Sequence, residues 1–398
     1  MNRAKAPPVR NNFEHMIRFL LFLLAMCHIS LSAEVLDIGI YRTDKIKQAV
    51  VAPSIGSYEV FGDGKKLTDV YPNDGIRLYE TGGKVGVRSI QNDYGSFAKV
   101  VFVRKNWGNV FRIRPTQPAV REGKYNDNLV VTISAGYLKL INRVYLEHYV
   151  GGVVEAESGS KQNIEYYKLQ SIVCRTYALN NLRRHEDEGF HLCDQVHCQV
   201  YHGTSRFTEL IPEAVSATKG QVMVDSNIDL VTAAFHSNCG GQTIPAEHVW
   251  SKPVPYLQSV RDTFCLEGKH ARWETRIPRQ KWVQYMRTRH GVGRMGGHGS
   301  LDFNGADQRE VYYASSDSEI HLKEIRKDWN LKSTYFRIEE DQQDVLIRGR
   351  GFGHGVGMCQ EGAMRMSEIG YTHTDIIHFY YKDVHIIDLS VLDFFREH

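Results

Sequence analysis

The sequence predicts an α+β fold, in which an N-terminal antiparallel β-rich module precedes a mixed α/β region. From Val35 to about Leu138, short runs rich in valine, isoleucine, tyrosine and phenylalanine alternate with glycine, asparagine and aspartate turn signals. Beyond Tyr149 the pattern changes, because apolar residues between Ile164 and Leu179 recur at helical spacing. A hydrophobic content of 42% supports a folded core, and 398 residues suffice for about two domains.

The first residues are typical of a secretory signal peptide. A basic start is followed by an apolar run from Phe19 to Cys27 and by small residues ending at Ala33. The run is shorter than the roughly 20 residues that a membrane-spanning helix needs. We therefore expect an exported protein, periplasmic or extracellular, cleaved after Ala33. The alternative is a membrane anchor that is retained or a lipid attached at Cys27.

Several further elements can be predicted in chain order. The run "NLVVTISAGYLKLINRVYLEHYV" is expected to be extended, and "NIEYYKLQSIVCRTYALNNLRRHEDEG" to be a helix that ends at Gly189. "GQVMVDS", "DLVTAAFHS" and "DVLIRGR" are predicted strands. The glycine-rich stretch from Arg287 to Gln308 is interpreted as a surface insertion. Two helices are expected near the end, one stopped by Gly370 and one beginning within "THTD".

The stretch "HEDEGFHLCDQVHC" is a candidate structural zinc site. Cys193, His197 and Cys198 supply three of the four thiolate or imidazole ligands that a tetrahedral zinc ion takes. His185 is the candidate fourth ligand, and His191 is its rival. The alternative is a Cys193–Cys198 disulfide in an oxidising compartment. If four protein ligands fill the coordination shell, the zinc holds a loop and performs no chemistry.

Two carboxylates, Glu155 and Glu157, lie in "YVGGVVEAESG". A glycosidase pair must flank the scissile bond from opposite sides. On a helix, residues two apart do not face each other, and on a strand they lie side by side on one face. We therefore expect one of them to act and the other to be solvated, with two surface carboxylates as the alternative.

The stretch "AAFHSNCGGQT" pairs His236 with Ser237 before a turn at Gly240 and Gly241. A serine–histidine pair suggests a hydrolase, but adjacent strand residues point to opposite faces. A polar groove lining is therefore favoured over a catalytic triad.

The stretch "RGRGFGHGVGMCQEGAMRM" carries glycine at alternate positions from Gly349 to Gly357. It lacks the acidic residue of a dinucleotide fingerprint and the lysine of a P-loop. The alternation predicts an extended backbone that is bare on one face, with His354 among the side chains of the other. The alternative is a glycine-rich loop without a ligand.

Together, and in this order, these motifs resemble the stage II sporulation protein D family (SpoIID/LytB). The segments that carry the resemblance are "YVGGVVEAESG", "YYKLQSIVCRTYALNN", "LCDQVHCQVYHG", "AAFHSNCGGQT" with "VWSKPVPYLQSV", and "RGRGFGHGVGMCQEGA". They extend roughly from Ile141 to Ile387. With the N-terminal segment and the strand-rich region described above, we expect a signal peptide over 1–33 and a β-rich domain over 34–140, and the family resemblance implies a catalytic domain with a substrate groove over 141–390.

The family implies a peptidoglycan lytic transglycosylase. Such enzymes cleave between N-acetylmuramic acid and N-acetylglucosamine in strands stripped of stem peptides, and leave 1,6-anhydro ends. The catalytic glutamate of the motif falls on Glu157. One carboxyl suffices, because the substrate's own C6 hydroxyl attacks and no second carboxylate is needed to activate water. The alternative function is a non-catalytic peptidoglycan-binding modifier of a cell-wall amidase.

The remaining roles are implied by position. The residues expected to contact the glycan or border the groove are Lys168, Gln170, Arg175, His236, Ser237, Gly240, Gly241, Tyr256, His354 and Gln360. For Arg175 a buried structural ion pair is the alternative. We expect structural zinc, no organic cofactor and, at a net charge of +3, no nucleic-acid partner. The sequence departs from the family at Ser158-Gly159, Cys174, Cys239 and Cys359, and Cys239 could form a disulfide with Cys265.

Overall fold

The computed structural model describes residues 35–205, 207–291, 303–305, 309–315, 318–340 and 343–396. The predicted signal peptide and most of the predicted insertion lie outside these ranges. Within them, no helix is both long and apolar enough to cross a membrane.

Two large β-sheets form the N-terminal part of the chain. The seven-stranded sheet has the order β13-β1-β12-β11-β8-β3-β4 and the six-stranded sheet the order β10-β9-β2-β5-β6-β7. The strands are β1 (Val35–Ile40), β2 (Gln48–Ile55), β3 (Tyr58–Gly62), β4 (Lys65–Val70), β5 (Ile76–Thr81), β6 (Lys84–Arg88), β7 (Asp93–Phe97), β8 (Val100–Arg104), β9 (Val110–Gln117), β10 (Gly123–Asn126), β11 (Asn128–Ser134), β12 (Tyr137–Tyr145) and β13 (Leu192–Cys193).

Alternation of apolar residues places one face of these strands in the core. Tyr58 and Val60 on β3 are buried, as are Phe111 and Ile113 on β9, while the residues between them are more exposed. This period of two is that of a strand with one buried face. The β-rich N-terminal region and the α+β class are thus confirmed.

Nine α-helices lie within the described residues. They are α1 (Leu146–Ser158), α2 (Ile164–Asn180), α3 (Leu210–Ala217), α4 (Glu247–Trp250), α5 (Arg279–His290), α6 (Leu322–Asp328), α7 (Gln360–Glu368), α8 (His373–Tyr380) and α9 (Leu389–Arg396), and a 3-10 helix spans Glu186–Glu188. As predicted, α8 begins at a capping box, in which Thr372 and Asp375 satisfy each other's backbone N–H groups.

The predicted extension of the strand to Val150 is wrong, because β12 ends at Tyr145 and α1 begins at once. Tyr149 and Val150 are both buried, and so are Val153 and Val154. This spacing of one helical turn buries a helical stripe that an extended chain would split between two faces.

The predicted end of the next helix is also wrong. Helix α2 begins after Asn163, whose side chain accepts a hydrogen bond from the Tyr166 N–H, and it ends at Asn180. The Asn181 side-chain amide donates to the Tyr177 carbonyl and satisfies one of the last backbone acceptors. Gly189, at φ +78°, ends the short 3-10 helix instead.

The later strands form four smaller sheets. These strands are β14 (Gln221–Val224), β15 (Phe235–His236), β16 (Arg272–Pro278), β17 (Phe303–Asn304), β18 (Tyr312–Ser315), β19 (Ser318–His321), β20 (Phe336–Glu340), β21 (Asp344–Arg350), β22 (Met358–Cys359) and β23 (His385–Asp388). They pair as β14-β23, β15-β22, β16-β21-β20-β17 and β18-β19. A second hydrophobic core packs on the four-stranded sheet and includes Trp273, Trp282 and Phe336.

The N-terminal sheet reaches into the region of the predicted metal site. Strand β13 pairs in parallel with β1, with Ile38 opposite Leu192 and Gly39 opposite Cys193. The predicted domain boundary at residues 140 and 141 falls inside β12, and the division into domains stays a prediction.

A buried ion pair joins α1, α2 and β14. The Arg175 side chain is fully buried, and its Nε and Nη2 donate to the Glu147 carboxylate. Its Nη1 donates to the Gln221 carbonyl at 3.1 Å. From the sequence, Arg175 could either contact the glycan or form a buried structural ion pair. The structure shows the ion pair.

We expect Arg175→Met to lower the free energy of unfolding by about 3 kcal/mol, because it leaves the Glu147 carboxylate and a carbonyl without their partner. The control is Arg143→Met, whose partner is Asp37 and whose side chain is 43% exposed. That change should cost less than about 1 kcal/mol. Urea unfolding measures both, and equal costs would contradict the structural role of Arg175.

Candidate active site and metal centre

Glu157 lies in the last turn of α1, where its carboxyl is partly buried. Its Oε1 accepts a hydrogen bond from the Val200 N–H at 2.8 Å. Burial raises the pKa of Glu157, and the hydrogen bond from Val200 offsets only part of this effect. The carboxyl is therefore poised to hold a proton at a higher pH than an exposed glutamate does.

The neighbouring carboxylate, Glu155, has a different environment. It is buried, and its Oε2 accepts hydrogen bonds from the Ser205 hydroxyl at 3.0 Å and the Phe207 N–H at 2.9 Å. Because both carboxylates are on one helix two residues apart, they point in different directions. Glu155 was expected to be solvated, but instead it holds Ser205 and Phe207 against α1.

Helix α2 offers less to a ligand than the sequence predicted. Gln170 is fully buried, and its amide accepts from the Tyr166 hydroxyl and donates to the Cys174 sulfur. Lys168 is partly exposed and pairs with Glu165 at 2.8 Å. Glu165 also bonds the backbone and ring of His373. Gln170 and Lys168 thus make contacts within the protein, and their contact with a glycan stays a prediction.

A two-stranded parallel ladder carries the predicted groove residues. β15 pairs with β22, so that His236 lies opposite Cys359. His236 is buried; its Nδ1 lies 3.1 Å from the Val356 carbonyl, and its Nε2 has no hydrogen-bond partner. The ring of His354 lies 5.4 Å from that of His236 and 5.7 Å from that of Trp250. The structure therefore brings His236 and His354 together, as expected.

Both histidines are held in the neutral form. Burial lowers the pKa of His236 well below its ordinary value and that of His354 to about 4. The Val356 N–H donates to His354 Nδ1 at 3.0 Å, which assigns the ring proton of His354 to Nε2. A neutral imidazole can donate and accept hydrogen bonds without carrying a charge.

The prediction that the glycine stretch has an extended backbone is wrong. Gly351, Gly353, Gly355 and Gly357 all have positive φ. A Cβ at Gly357 would lie 2.2 Å from the Ala234 carbonyl oxygen. At Gly357 the close approach is therefore made by the segment that leads into β15.

Ser237 contacts a histidine that the sequence analysis did not consider. Its Oγ lies 3.3 Å from His270 Nδ1, and the Glu361 carboxylate contacts the same nitrogen. A catalytic triad uses the two different ring nitrogens for its two partners. This arrangement is therefore not a triad, in agreement with the preference for a groove lining.

The remaining residues predicted to border the groove are Tyr256, Gly240, Gly241 and Gln360. The Tyr256 hydroxyl accepts from the Thr232 N–H, and a Cβ at Gly240 would collide with Arg350, so both have structural contacts. Gly241 is partly exposed at φ +109°. Gln360 begins α7 and is buried with its Nε2 unpartnered.

Two buried polar atoms in these segments have no hydrogen-bond partner among the described residues. They are His236 Nε2 and Gln360 Nε2. Buried polar atoms without partners are uncommon, because each costs free energy. Both lie on or beside the His236–Cys359 ladder and are suited to a ligand rich in hydroxyl and amide groups.

The four predicted metal ligands converge. One side-chain atom from each of His185, Cys193, His197 and Cys198 lies within 4.8 Å of all the others. Cys198 Sγ is 3.4 Å from His185 Nε2 and 3.6 Å from His197 Nδ1, and Cys193 Sγ is 3.9 Å from His197 Nδ1. Ligand atoms around tetrahedral zinc lie about 3.3–3.8 Å apart, given its bond lengths of about 2.0–2.3 Å. The cluster could therefore hold a metal ion.

An outer layer orients this cluster. His185 Nδ1 lies 2.7 Å from Glu188 Oε1, which leaves Nε2 to face the two thiols. Arg42 on the N-terminal side binds the same carboxylate through two nitrogens. A carboxylate behind a histidine ligand is the usual support of a metal site. His191, the rival ligand, instead accepts from the Asp37 N–H. Cys193 and Cys198 are not joined by a disulfide.

The metal cluster and Glu157 share one loop. Val200, whose N–H binds Glu157, follows Cys198 by two residues. The intervening Gln199 accepts from the Tyr149 hydroxyl of α1 at 3.3 Å. Any group that fixes Cys198 therefore also fixes the hydrogen-bond donor to Glu157.

Sequence reasoning missed two features of this region. The Val200 N–H is a backbone donor and has no side-chain signature. Trp250 is 41% exposed beside His354, and only its place in "VWSKPVPYL" hinted at such a position.

Comparisons with known proteins agree with the resemblance seen in the sequence. A model of the SpoIID family, described as "Stage II sporulation protein", matches residues 134–224, which include α1, α2, Glu157 and the metal cluster. Stage II sporulation protein D of Bacillus subtilis is 27% identical over 268 residues, which is 62% of this chain and 75% of that protein.

Two further relatives are similar over most of the chain. An uncharacterized protein of Brachyspira hyodysenteriae is 26% identical over 276 residues, covering 67% of this chain and 70% of its own. A Bacillus subtilis protein named amidase enhancer is 26% identical over 346 residues, covering 70% of this chain and 47% of its own. The chain therefore carries a SpoIID-family domain over residues 134–224 and is a homologue of stage II sporulation protein D at about 27% identity.

Proposed function

We propose that this protein is a peptidoglycan lytic transglycosylase in which Glu157 is the single acid and base. The observation that carries the proposal is a lone, partly buried carboxyl with a raised pKa, next to a carboxylate, Glu155, that is occupied by structural hydrogen bonds. The relationship to stage II sporulation protein D and to an amidase enhancer supports a role at the cell wall.

The proposed reaction needs no water and no second carboxylate. Protonated Glu157 gives its proton to the glycosidic oxygen, and the bond from that oxygen to C1 of the N-acetylmuramic acid breaks. The C6 hydroxyl of the same sugar then attacks C1 and forms the 1,6-anhydro bond. Glu157, now a carboxylate, accepts the hydroxyl proton and returns to its starting state. The atoms balance, since the leaving N-acetylglucosamine keeps the first proton.

The segments around His236 offer contacts to the sugar part of a glycan. Neutral His236 and the amide of Gln360 each have an Nε2 without a partner among the described residues, and these atoms can form hydrogen bonds with hydroxyl and acetamido groups. The exposed face of Trp250 beside His354 suits a sugar ring. These contacts support a glycan strand as substrate, and the preference for strands stripped of stem peptides is proposed from the family resemblance alone.

Glu157→Gln should abolish most of the cleavage, by about 10²–10⁴-fold, since glutamine can neither give nor take the proton. The measurement is mass spectrometry of purified glycan strands, which resolves 1,6-anhydro ends. The wild-type activity should fall as the pH rises through the raised pKa of Glu157, because the acid form starts the reaction.

The matched control is Glu155→Gln, which changes the neighbouring carboxylate. It should lower stability through the 205–207 loop and keep the rate per folded molecule. Anhydro ends produced equally by wild type and Glu157→Gln would rule out the assignment.

We further propose that the cluster of His185, Cys193, His197 and Cys198 binds zinc as a structural ion. Two thiolates and two imidazoles with the observed spacing support tetrahedral zinc, which leaves no position for a catalytic water. The ion would hold the loop that presents Val200 to Glu157.

Glu188→Gln should weaken zinc binding by about 10–100-fold, because it removes the carboxylate that orients His185. Competition with a chromophoric chelator measures the affinity. Glu186→Gln, which changes an exposed carboxylate on the same 3-10 helix, is the control and should leave it unchanged. Equal zinc affinity in wild type and Glu188→Gln would contradict the proposed geometry.

A second candidate function is a glycan-binding modifier of a cell-wall amidase, favoured by the similarity to the amidase enhancer. Tight binding of glycan by both wild type and Glu157→Gln, without cleavage by either, would support it. Either function requires export, which we propose on the basis of the N-terminal segment ending at Ala33, with retention as a membrane anchor as the alternative.

A further inference from the structure

Three buried cysteines and one aspartate meet beside the β15–β22 ladder, in a group separate from the cluster of His185, Cys193, His197 and Cys198. One ligand atom from each of Cys239, Asp262, Cys265 and Cys359 lies within 4.8 Å of all the others. All four residues are buried, and none of the cysteines forms a disulfide. We propose that these four side chains form a second zinc site with three thiolates and one carboxylate.

The distances agree with tetrahedral coordination. Cys239 Sγ lies 3.4 Å from Cys265 Sγ and 3.3 Å from Asp262 Oδ2. These separations match the roughly 3.3–3.8 Å expected between ligand atoms that share one zinc ion. A disulfide would need sulfur atoms about 2.05 Å apart, and the 3.4 Å between the Cys239 and Cys265 sulfurs is well beyond that distance. Soft thiolates with a single carboxylate favour zinc over magnesium or calcium.

The groups around the cluster are donors that a thiolate and a carboxylate require. The N–H groups of Cys239 and Gly362 donate to Cys359 Sγ at 3.3 and 3.4 Å. The Tyr380 hydroxyl donates to Asp262 Oδ2 at 2.9 Å, and the Phe264 N–H donates to its Oδ1. Such second contacts fix ligands and are typical of metal sites.

Two further features suit the size and the charge of a metal ion at this site. A Cβ at Gly362 would lie 2.3 Å from both Asp262 Oδ2 and the Tyr380 hydroxyl oxygen, so a larger residue would push these groups aside. The Arg309 guanidinium donates to the Cys239 carbonyl at 3.1 Å. Its positive charge offsets part of the negative charge that remains when zinc binds three thiolates and a carboxylate.

The site would connect three segments that are distant in the chain at the β15–β22 ladder. Cys239 follows His236 on the β15 segment, Asp262 and Cys265 lie in the loop after Tyr256, and Cys359 caps α7 beside Gln360. Zinc here would therefore hold the His236–Cys359 ladder in place. The cluster of His185, Cys193, His197 and Cys198 would fix the loop whose Val200 N–H binds Glu157, so each of these two segments would have its own ion.

The test counts zinc in the purified full chain by inductively coupled plasma mass spectrometry. We expect two zinc ions per chain in the wild type and one after the double substitution Cys193→Ser and Cys198→Ser. Cys239→Ser with Cys265→Ser should also leave one. Cys174→Ser is the matched control, because Cys174 is a buried cysteine outside both clusters, and should leave two.

Milder variants cover the case in which the double substitution does not fold. Asp262→Cys completes a four-thiolate site and should retain zinc, and cobalt loaded in its place should show stronger sulfur-to-cobalt absorption than in the wild type. Tyr380→Phe removes one hydroxyl and should lower zinc affinity at this site by about 10–100-fold in chelator competition.

Two outcomes of the zinc count would contradict a second zinc site. One zinc per chain, together with a Cys239–Cys265 disulfide found by alkylation and mass spectrometry of unreduced protein, would overturn the proposal. So would a zinc count in the folded Cys193→Ser, Cys198→Ser protein that falls to zero.

Discussion

The hydrogen bond from the Val200 N–H to Glu157 is the contact on which the site depends. It joins the end of α1 to the loop that carries Cys193, His197 and Cys198. That loop is in turn paired with β1 of the N-terminal sheet. The position of the proposed catalytic carboxyl therefore depends on an N-terminal strand and on a side-chain cluster. Neither of them is expected to contact the substrate.

The partial burial of Glu157 suits the carboxyl to its proposed role as an acid and costs stability. Its pKa is raised in the folded protein, so the folded state holds the proton more firmly than the unfolded chain does. The contribution to stability is therefore most favourable below the unfolded pKa and declines as the pH rises through the folded pKa. Glu155, two residues earlier, has its Oε2 bonded to Ser205 and Phe207 and so is kept for structure.

Much of the architecture follows from local sequence patterns. Short runs of strand-forming residues broken by turn signals predicted the β-rich module, and Thr and Asp in "THTD" predicted the start of α8. Ligand spacing predicted the cluster at His185 and Cys198. The junction of β12 and α1 was missed, because valine and tyrosine fit a strand as well as a buried helix stripe.

What could not be predicted depends on contacts between segments far apart in the chain. The positive φ of Gly357 is imposed by the Ala234 carbonyl, and the donor to Glu157 is a backbone group. Cys239, Asp262, Cys265 and Cys359 come from three separate segments, so their convergence appears only in the folded chain. Arg175 could be a groove residue or a structural one until its partner Glu147 was seen.

The most direct test of this account is the pKa of Glu157 itself. The carboxyl carbons of glutamate can be labelled with ¹³C and titrated by NMR, and the resonance that Glu157→Gln removes identifies the residue. The account predicts a midpoint above the value of about 4.3 for a free glutamate side chain. A midpoint at or below that value would contradict the claim that burial keeps this carboxyl ready to act as an acid.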